Sequence, residues 1–274
     1  MSQSTSDRDY VLGTHDDEIN RLGLQHRVWR PHVLAAWQRA GLTTGARVLD
    51  VGAGPGFATL DLAELVGPSG RVVAIERSAR FVASARERCA RAGCEHVAVH
   101  ELDLMSDALP EGEFDVAWCR WVASFVSSPA TLVAKIAAAL RPGGRAVFHE
   151  YLNYATWRYI PDLPRVSEFV QHVMASWRAS GGEPDVAGEL PALLSAHGIA
   201  VTHAQPLVFT ARPADFLWQW PAAFVEVNLA RLQQLGLVDA HWTEAVREEL
   251  RAAARADSLV VTPMVLELIA QKRG

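Results

Sequence analysis

Short apolar runs alternate with helical patterns over residues 46–150, and this alternation constrains the fold more than any other feature of the sequence. An apolar run over residues 48–51 predicts a first strand, and the helical pattern that follows ends at Gly67-Pro68. The same reasoning predicts further strands over residues 72–75, 97–102, 114–119 and 146–149, and helices over residues 78–92 and 128–140. Strands that alternate with helices imply parallel βαβ units in a sheet covered on both faces. The sequence therefore predicts an α/β fold.

The flanking segments add helices and two late strands. Residues 1–45 have a helical pattern, with a cap at Asp16 or Asp17, a helix start at Pro31 and a stop at Gly41. Further helices are predicted over residues 166–179 and 188–197 and twice within 213–256, and strands over residues 199–209 and 257–270. We expect one domain over residues 1–274, with a core formed by residues 42–150, 188–210 and 257–272 and a helical cap formed by residues 1–41, 151–187 and 211–256.

Composition narrows the class of partner. The formal charge is −5 and no run of Lys and Arg exceeds two residues, so the chain lacks the basic surface that phosphate backbones require. Its three cysteines include no CxxC pair, which argues against a disulfide framework or a zinc site, and we expect no metal. No apolar run approaches the roughly 18 residues that span a bilayer, and the N-terminus does not resemble a signal peptide. These features favour a cytoplasmic protein that acts on a small molecule, without a nucleic-acid or membrane partner.

A glycine-rich loop follows the first predicted strand. Gly52, Gly54 and Gly56 stand just before a helix, where a ligand can lie close to the backbone only if Cβ atoms are absent. The spacing is GxGxG rather than GxGxxG, and Pro55 removes a backbone N–H that a pyrophosphate would need. The loop therefore predicts a small-molecule cleft and disfavours NAD and FAD.

Acidic residues follow the next two predicted strands. Glu76 ends the second strand, where a carboxylate can accept hydrogen bonds from both hydroxyls of a ribose. Asp103 follows the third strand and can accept from an exocyclic adenine amine. Together they predict a site for a nucleoside.

Five motifs resemble, in order and spacing, those of class I S-adenosylmethionine-dependent methyltransferases: residues 48–56, Glu76, residues 101–104, residues 114–116 and residues 140–144. The resemblance implies a Rossmann-like seven-stranded sheet whose last strand, from residues 258–270, is antiparallel, together with a helical cap. It implies S-adenosylmethionine as the cofactor and S-adenosylhomocysteine as the product. The methionine part of the cofactor would lie along the glycines, Glu76 would bind the ribose, and Asp103 with Leu104 would bind the adenine. Ala53, Arg77 and Arg120 complete the cofactor-binding residues that we expect in this region.

The N-terminal stretch resembles a cofactor-covering segment of the small-molecule, ubiquinone/menaquinone-type branch of that family. It comprises residues 10–13 followed by Glu18, Arg21 and Gln25. Tyr10 and Gln25 would then contact the amino-acid end of the cofactor. An amphipathic helix with solvated polar residues explains the same pattern.

Candidates for catalysis lie at the carboxyl ends of the fourth and fifth predicted strands: Arg120, Trp121, His149, Glu150 and Tyr151. If a general base is needed, His149 is the first choice because imidazole titrates near neutral pH, with Arg120 and Tyr151 as further catalytic candidates. The alternative is that His149 is a hydrogen-bonded strand residue that points away from the pocket. Because side chains alternate along a strand, only one of His149 and Glu150 should reach the substrate. Glu150 would bind a substrate amine or pair with Arg158.

The predicted cap is rich in aromatic residues. Such residues can line a pocket for an apolar or aromatic acceptor, or attract a sulfonium by cation–π interaction, although at helical spacing they also serve as core. The candidate substrate-binding residues are His26, Trp29, Trp121, Glu150, Tyr154, Trp157 and Trp220.

The leading hypothesis is methyl transfer from S-adenosylmethionine to an oxygen, nitrogen or carbon atom of a small, partly apolar or aromatic metabolite held under the cap. Two alternatives stay open. One is a non-methylating use of the same cofactor, by cyclisation or elimination. The other is a binding module that senses the cofactor. The sequence does not specify the acceptor or the oligomeric state.

Overall fold

The computed structural model describes residues 16–110 and 112–274. Its helices are α1 (Asp16–Arg39), α2 (Phe57–Val66), α3 (Ala79–Arg91), α4 (Pro129–Ala139), α5 (Pro164–Ala179), α6 (Leu190–Ala196), α7 (Gln219–Gln234) and α8 (Ala240–Arg255). Its strands are β1 (Arg47–Val51), β2 (Arg71–Glu76), β3 (Val97–Glu101), β4 (Phe114–Arg120), β5 (Leu140–Asn153), β6 (Arg158–Ile160), β7 (Ile199–Leu207), β8 (Thr210–Ala211), β9 (Leu259–Val261) and β10 (Met264–Lys272). Tyr10 and the motif over residues 10–13 lie outside the described residues.

Seven strands form one sheet in the order β3-β2-β1-β4-β5-β10-β7. Strands β1 to β5 pair in parallel, and β10 is antiparallel to both of its neighbours, β5 and β7. The strand order reverses direction between β1 and β4, and the crevice outside the carboxyl ends at such a switch point is where open α/β sheets bind ligands. The prediction of a Rossmann-like seven-stranded sheet with an antiparallel last strand is confirmed.

Local sequence signals set the ends of the helices that flank the sheet. The Ser78 hydroxyl accepts a hydrogen bond from the Phe81 N–H at the start of α3, and Ser128 caps α4 in the same way. Helix α2 begins directly after Gly56 and ends at Gly67. Each helix is thereby held at a fixed point relative to the strand that precedes it.

Alternating strand residues bury the two faces of the sheet. Val48 packs with α1 and α2 on one face, whereas Leu49 packs with α4 and α6 on the other. On the first face, α7 contacts α1, and α5, α7 and α8 pack against one another. These helices form a layer beside the carboxyl ends of the strands.

Two features differ from the sequence-based expectation. Pro31 does not start a helix but lies inside the continuous α1. An internal proline costs roughly 3 kcal/mol, and burial of Trp29, Val33 and Trp37 around it offsets that cost. The second feature is a three-stranded sheet in the order β6-β9-β8, which joins three segments distant in sequence and was not predicted.

Candidate active site

A cavity of ≈ 550 Å³ opens at the carboxyl ends of β1, β2 and β4. The predicted site residues that line it are Gln25, Gly52, Ala53, Gly54, Glu76, Arg77, Asp103, Leu104, Arg120 and Trp121. The structure thus brings together residues from α1, from the glycine loop and from the ends of three neighbouring strands. Gly56, His26, Trp29, His149, Glu150, Tyr151, Tyr154, Trp157 and Trp220 do not line this cavity.

The three glycines of the loop have different roles. All have positive φ, at 69° for Gly52, 56° for Gly54 and 87° for Gly56. A Cβ on Gly54 would meet no atom of the described residues within 4 Å, so this glycine faces open space in the cavity. A Cβ on Gly56 would lie 2.9 Å from the Cα of Ala85, so Gly56 allows α3 to approach the loop. The expectation that Gly56 contacts a ligand is therefore not supported by its position.

Glu76 ties the glycine loop to the end of β2. Its Oε2 accepts a hydrogen bond from the Gly54 N–H at 3.0 Å, and its Oε1 accepts from the N–H groups of Arg77 and Ser78 at 2.9 and 2.8 Å. Burial raises the pKa of Glu76, against the lowering effect of these bonds. Because a carboxylate offers about four acceptor positions and three are used, a position remains for a ligand hydroxyl.

Asp103 is held in a turn on the far wall of the cavity. Its Oδ1 accepts a hydrogen bond from the Met105 N–H at 2.8 Å, and the Asp103 N–H donates to Asp107 at 2.8 Å. The other carboxylate oxygen, Oδ2, makes no hydrogen bond within the described part of the chain, and Leu104 follows as an apolar neighbour. The Asp103 carboxylate suits the polar edge of a planar base, and the Leu104 side chain suits its face.

Asp50 is a buried carboxylate of the cavity that the sequence analysis did not assign. It lies on β1 directly before the glycine loop, and its Oδ2 accepts a hydrogen bond from the Thr59 hydroxyl at 2.6 Å. Burial raises the pKa of Asp50 to about 6, although the Thr59 bond and the Arg120 charge lower it. A lone acidic residue inside an apolar strand was the available signal, because buried carboxylates are rare unless they have a partner.

Arg120 lies at the end of β4, with its guanidinium 5.1 Å from the ring centroid of Trp121 and 5.9 Å from that of Trp118. Its Nη2 is 3.3 Å from His26 Nδ1, whereas its buried Nη1 has no hydrogen-bond partner among the residues described. Burial lowers the pKa of Arg120 to about 10, which leaves the group charged at neutral pH. An unpaired donor of a charged group beside a cavity indicates a place for an anionic oxygen.

A buried polar chain fixes Gln25 on α1. Its Oε1 accepts hydrogen bonds from Arg21 Nη1 at 2.9 Å and from Trp220 Nε1 at 3.0 Å. Arg21 is itself paired with Glu18 through two bonds. Since the amide oxygen is occupied, the amide nitrogen is the group that Gln25 can offer to the cavity.

Glu150 holds the loop after β4 and does not contact the cavity. Its Oε1 accepts from the N–H groups of Val122 and Ala123 at 2.7 and 2.9 Å, and its Oε2 accepts from the Ser124 hydroxyl at 3.0 Å. Glu150 therefore neither lines the cavity as a substrate contact nor pairs with Arg158, the two possibilities that the sequence suggested, but binds the loop after β4. Burial raises the pKa of Glu150 to about 7, against the lowering effect of the bonds.

The loop that Glu150 holds begins with an unusual backbone conformation. Trp121 has φ 52°, the one positive value outside glycine in the described chain. Its N–H donates to the carbonyl of His149, and Glu150 fixes the two residues that follow. The loop then lines the cavity with Val122, Phe125, Val126 and Ser127.

His149 is fully buried on the opposite face of β5 from Glu150, as the alternation of strand side chains predicts. Its Nε2 lies 3.1 Å from Glu267 on β10, which also accepts two hydrogen bonds from Arg39. Burial lowers the pKa of His149 below its ordinary value. His149 does not line the cavity, and its Nδ1 is buried without a hydrogen-bond partner among the described residues, so its position fits the strand-residue alternative.

The predicted aromatic residues form a packed layer rather than an open pocket. Tyr151 stacks on Trp121 at 5.6 Å and meets Tyr154 edge-on at 4.8 Å. Trp29 packs against Trp121 at 5.3 Å and against Trp220 at 5.1 Å. Trp157 continues this packing from Tyr154. These residues support the cavity wall from behind, and only Trp121 reaches its surface.

Several lining residues were missed by the sequence analysis: Leu22, Asp50, Val51, Phe57, Phe81, Met105, Trp118, Val126, Ser127 and Ser180. Most are apolar positions that look like ordinary core in a single sequence. Phe57 and Phe81 stand in the first turn of α2 and α3, where no local pattern separates a pocket wall from a helix contact.

Within residues 16–110 and 112–274, no three or more His, Cys, Asp and Glu side chains are grouped to hold a metal ion. No helix in the described part of the chain has the length and apolar character needed to cross a bilayer.

Comparison with known proteins identifies the family. Residues 48–144 match the family described as methyltransferase domain. The chain is 30% identical over 123 residues to demethylmenaquinone methyltransferase of Lactococcus lactis, covering 45% of this chain and 48% of that protein. It is 28% identical over 176 residues to the enzyme of that name from Anoxybacillus flavithermus, covering 58% and 73%. The chain thus spans about half the length of curated relatives such as the Lactococcus protein.

The fold is also shared with solved structures. The crystal structure of the [4+2]-cyclase SpnF aligns with a TM-score of 0.57 and 23% identity, over 87% of this chain and 79% of that one. Residues 48–144, which match the methyltransferase domain family, contain the glycine loop, Glu76, Asp103 and the whole of β4. Residues 48–144 are therefore a methyltransferase domain of the class I S-adenosylmethionine-dependent type, for which S-adenosylmethionine is the cofactor.

Proposed function

We propose that this chain transfers a methyl group from S-adenosylmethionine to an oxygen, nitrogen or carbon atom of a small metabolite that enters the cavity beside Arg120 and Trp121. The observation that carries the proposal is the pairing of open backbone at Gly54 with the Glu76 carboxylate across one 3.0 Å hydrogen bond. That pairing leaves space at the glycine loop and an acceptor for hydroxyls next to it. Both features fit the sugar and thioether of the cofactor.

Different residues of the cavity would bind the adenine, the ribose and the methionine part of the cofactor. Asp103 and Leu104 would hold the adenine, and Glu76 the ribose hydroxyls. The methionine part of the cofactor would lie against the backbone of Gly52 and Gly54. The carboxylate end of the methionine would then meet the amide nitrogen of Gln25 and the Nη1 of Arg120, which has no partner in the described part of the chain. Tyr10 remains a candidate contact from the N-terminal segment.

The chemistry asked of the protein is mainly orientation and exclusion of water. When bound, the cofactor supplies an electrophilic methyl group, which an acceptor lone pair attacks in line at about 3 Å. Trp121, Val122 and Phe125 form an apolar wall that keeps water from this approach. Because His149 is withdrawn, an acceptor must lose its proton to solvent or to Asp50, the cavity carboxylate whose pKa is raised to about 6 by burial.

The wall residues also favour one class of acceptor. The aromatic side chains Phe57, Phe81, Trp118, Trp121 and Phe125 line the cavity, and such surfaces suit a partly apolar or aromatic molecule. The relatives named demethylmenaquinone methyltransferases are consistent with an acceptor of this kind.

The test is incubation of the purified full chain with methyl-labelled S-adenosylmethionine, first alone and then with a fractionated metabolite extract. A methyltransferase leaves the cofactor intact alone and labels an acceptor when the extract is present, with S-adenosylhomocysteine released in equal amount. Release of methylthioadenosine from the cofactor alone would instead indicate the non-methylating alternative. Failure to bind the cofactor in either condition would refute the proposal.

A further inference from the structure

Three side chains from three elements form a hydrogen-bonded chain that ends at the cavity. Asp61 on α2 has its Oδ2 3.0 Å from His26 Nε2, and His26 on α1 has its Nδ1 3.3 Å from Arg120 Nη2. Arg30 supports the outer end through a 2.8 Å bond to Asp61 Oδ2. The inner end is the Arg120 guanidinium, whose buried Nη1 has no hydrogen-bond partner within residues 16–110 and 112–274.

The direction of these bonds fixes the state of the imidazole. A guanidinium can only donate, so His26 Nδ1 must accept and therefore carries no proton. The proton lies on Nε2 and is donated to Asp61, which makes His26 neutral in this arrangement. The Phe57 ring stacks on the imidazole at 6.0 Å with an angle of 19° between the planes, which further restricts its rotation.

We infer that His26 and Asp61 are positioning residues that hold one edge of the Arg120 guanidinium, so that its free Nη1 is presented to a carboxylate in the cavity. His26 is thus not a substrate contact, although the sequence suggested one. The inference rests on the proposed function, because the carboxylate in question is that of the cofactor's amino-acid end. The affinity for that carboxylate therefore depends on His26 and Asp61, which do not contact it.

A positioning role of this kind depends on pH. A protonated His26 has no lone pair on Nδ1, so it cannot accept from Arg120, and repulsion between the two cations moves the guanidinium away from the position in which Nη1 faces the cavity. The charged groups that face the imidazole are Asp61, Arg30 and Arg120. Burial lowers the pKa of His26 below 6.5, Asp61 opposes the change, and Arg120 adds to it. Binding of a carboxylate at Arg120 should therefore weaken as the pH falls below 6.5.

The probes are S-adenosylhomocysteine and methylthioadenosine, which share the nucleoside and the thioether but differ in the amino-acid group. Calorimetric titration of the wild-type chain from pH 7.5 to 5 should show a progressive loss of S-adenosylhomocysteine affinity, because the probe's carboxylate stays ionised over this range. Affinity for methylthioadenosine should lack that loss. A carboxylate supplied by the acceptor rather than by the cofactor would give no difference between the two probes and would overturn the assignment.

Matched variants separate positioning from support of the fold. His26→Asn retains an oxygen where Nδ1 accepts from Arg120 but cannot titrate, so its S-adenosylhomocysteine affinity should stay near the wild-type value at pH 7.5 and resist the acid loss. Asp50 also titrates near pH 6 in this cavity, so the difference between wild type and His26→Asn is the quantity to compare. His26→Phe keeps a stacked ring but removes both bonds, and its affinity should fall about tenfold at every pH, the factor equivalent to about 1.4 kcal/mol.

A third variant tests the outer member of the chain. Asp61→Asn keeps an acceptor for Nε2 but removes the charge that raises the pKa of His26, so the acid loss should move to lower pH. Identical pH profiles in wild type and His26→Asn would overturn the inference, provided that both bind S-adenosylhomocysteine and unfold at similar temperatures. Absence of any binding by the wild-type chain would refute the proposed function instead.

Discussion

The loop that carries Trp121 should depend on Glu150 for its conformation. Glu150 is fully buried, and its Oε1 accepts the N–H groups of Val122 and Ala123 at 2.7 and 2.9 Å. In Glu150→Ala both amides lose their acceptor while they remain in the interior. Each buried, unsatisfied amide costs about 1–3 kcal/mol, so the two together predict a loss of about 2–6 kcal/mol in the free energy of unfolding.

Urea unfolding monitored by tryptophan fluorescence measures this loss. With an m-value of about 3 kcal/mol/M, the midpoint should fall by roughly 0.7–2 M. Glu150→Gln is the matched control, because one amide oxygen can keep both short bonds while its nitrogen faces the Ser124 hydroxyl, which can accept, and only the long 3.4 Å bond from the Ser124 N–H is lost. This control should lose less than about 1 kcal/mol.

Binding provides a second measurement on the same variants. The loop lines the cavity through Trp121, Val122 and Phe125, so Glu150→Ala should also weaken binding of S-adenosylhomocysteine, whereas Glu150→Gln should retain it. A midpoint in Glu150→Ala equal to that of the wild type would refute the reasoning. An equal loss in the alanine and glutamine variants would do so too, because the two short bonds would then not be what holds the loop.

Three further predictions follow from the site. Glu76→Gln should weaken binding of S-adenosylhomocysteine by about 1–3 kcal/mol, roughly 5- to 150-fold, while Glu101→Gln, at the paired position on β3, should leave calorimetric affinity unchanged. Because burial raises the pKa of Glu150 from 4.5 to about 7, its contribution to stability is present below pH 4.5 and is lost as the pH rises through about 7. Urea midpoints from pH 4.5 to 8 should show a smaller loss in Glu150→Gln than in wild type, because only the contribution of Asp50, with its pKa raised to about 6, and of Glu76 remains. Gly56→Ala should lower the thermal midpoint, since its Cβ would meet Ala85 at 2.8 Å; an unchanged midpoint would contradict the close approach of α3.

Local patterns were sufficient to predict the fold around the glycine loop. The apolar run before Gly52 and the cap at Ser78 each act within a few residues, so a single sequence contains the whole signal. Glu76 and Asp103 could be placed in the cavity for the same reason, because parallel strands bring their carboxyl ends to one edge.

Contacts between distant segments could not be read from the sequence. Glu150 appeared to be a ligand contact, but its partners lie nearly thirty residues earlier in a loop whose path depends on packing. The cap tryptophans have a spacing that fits both core and pocket, and the burial of Trp157 and Trp220 behind Trp121 is decided by how α5 and α7 pack. Residue type alone does not distinguish these outcomes.

The central claim is that the cofactor binds against the open backbone at Gly54, and one pair of substitutions tests this claim directly. Gly54 and Gly93 have similar φ, 56° and 67°, and a Cβ on either meets no atom within 4 Å in the parts of the chain that the structure describes, but of the two only Gly54 lines the cavity. Asparagine tolerates this backbone conformation, so both variants should fold. Calorimetry with S-adenosylhomocysteine should find no measurable binding in Gly54→Asn and wild-type affinity in Gly93→Asn. Wild-type affinity in Gly54→Asn would contradict the account.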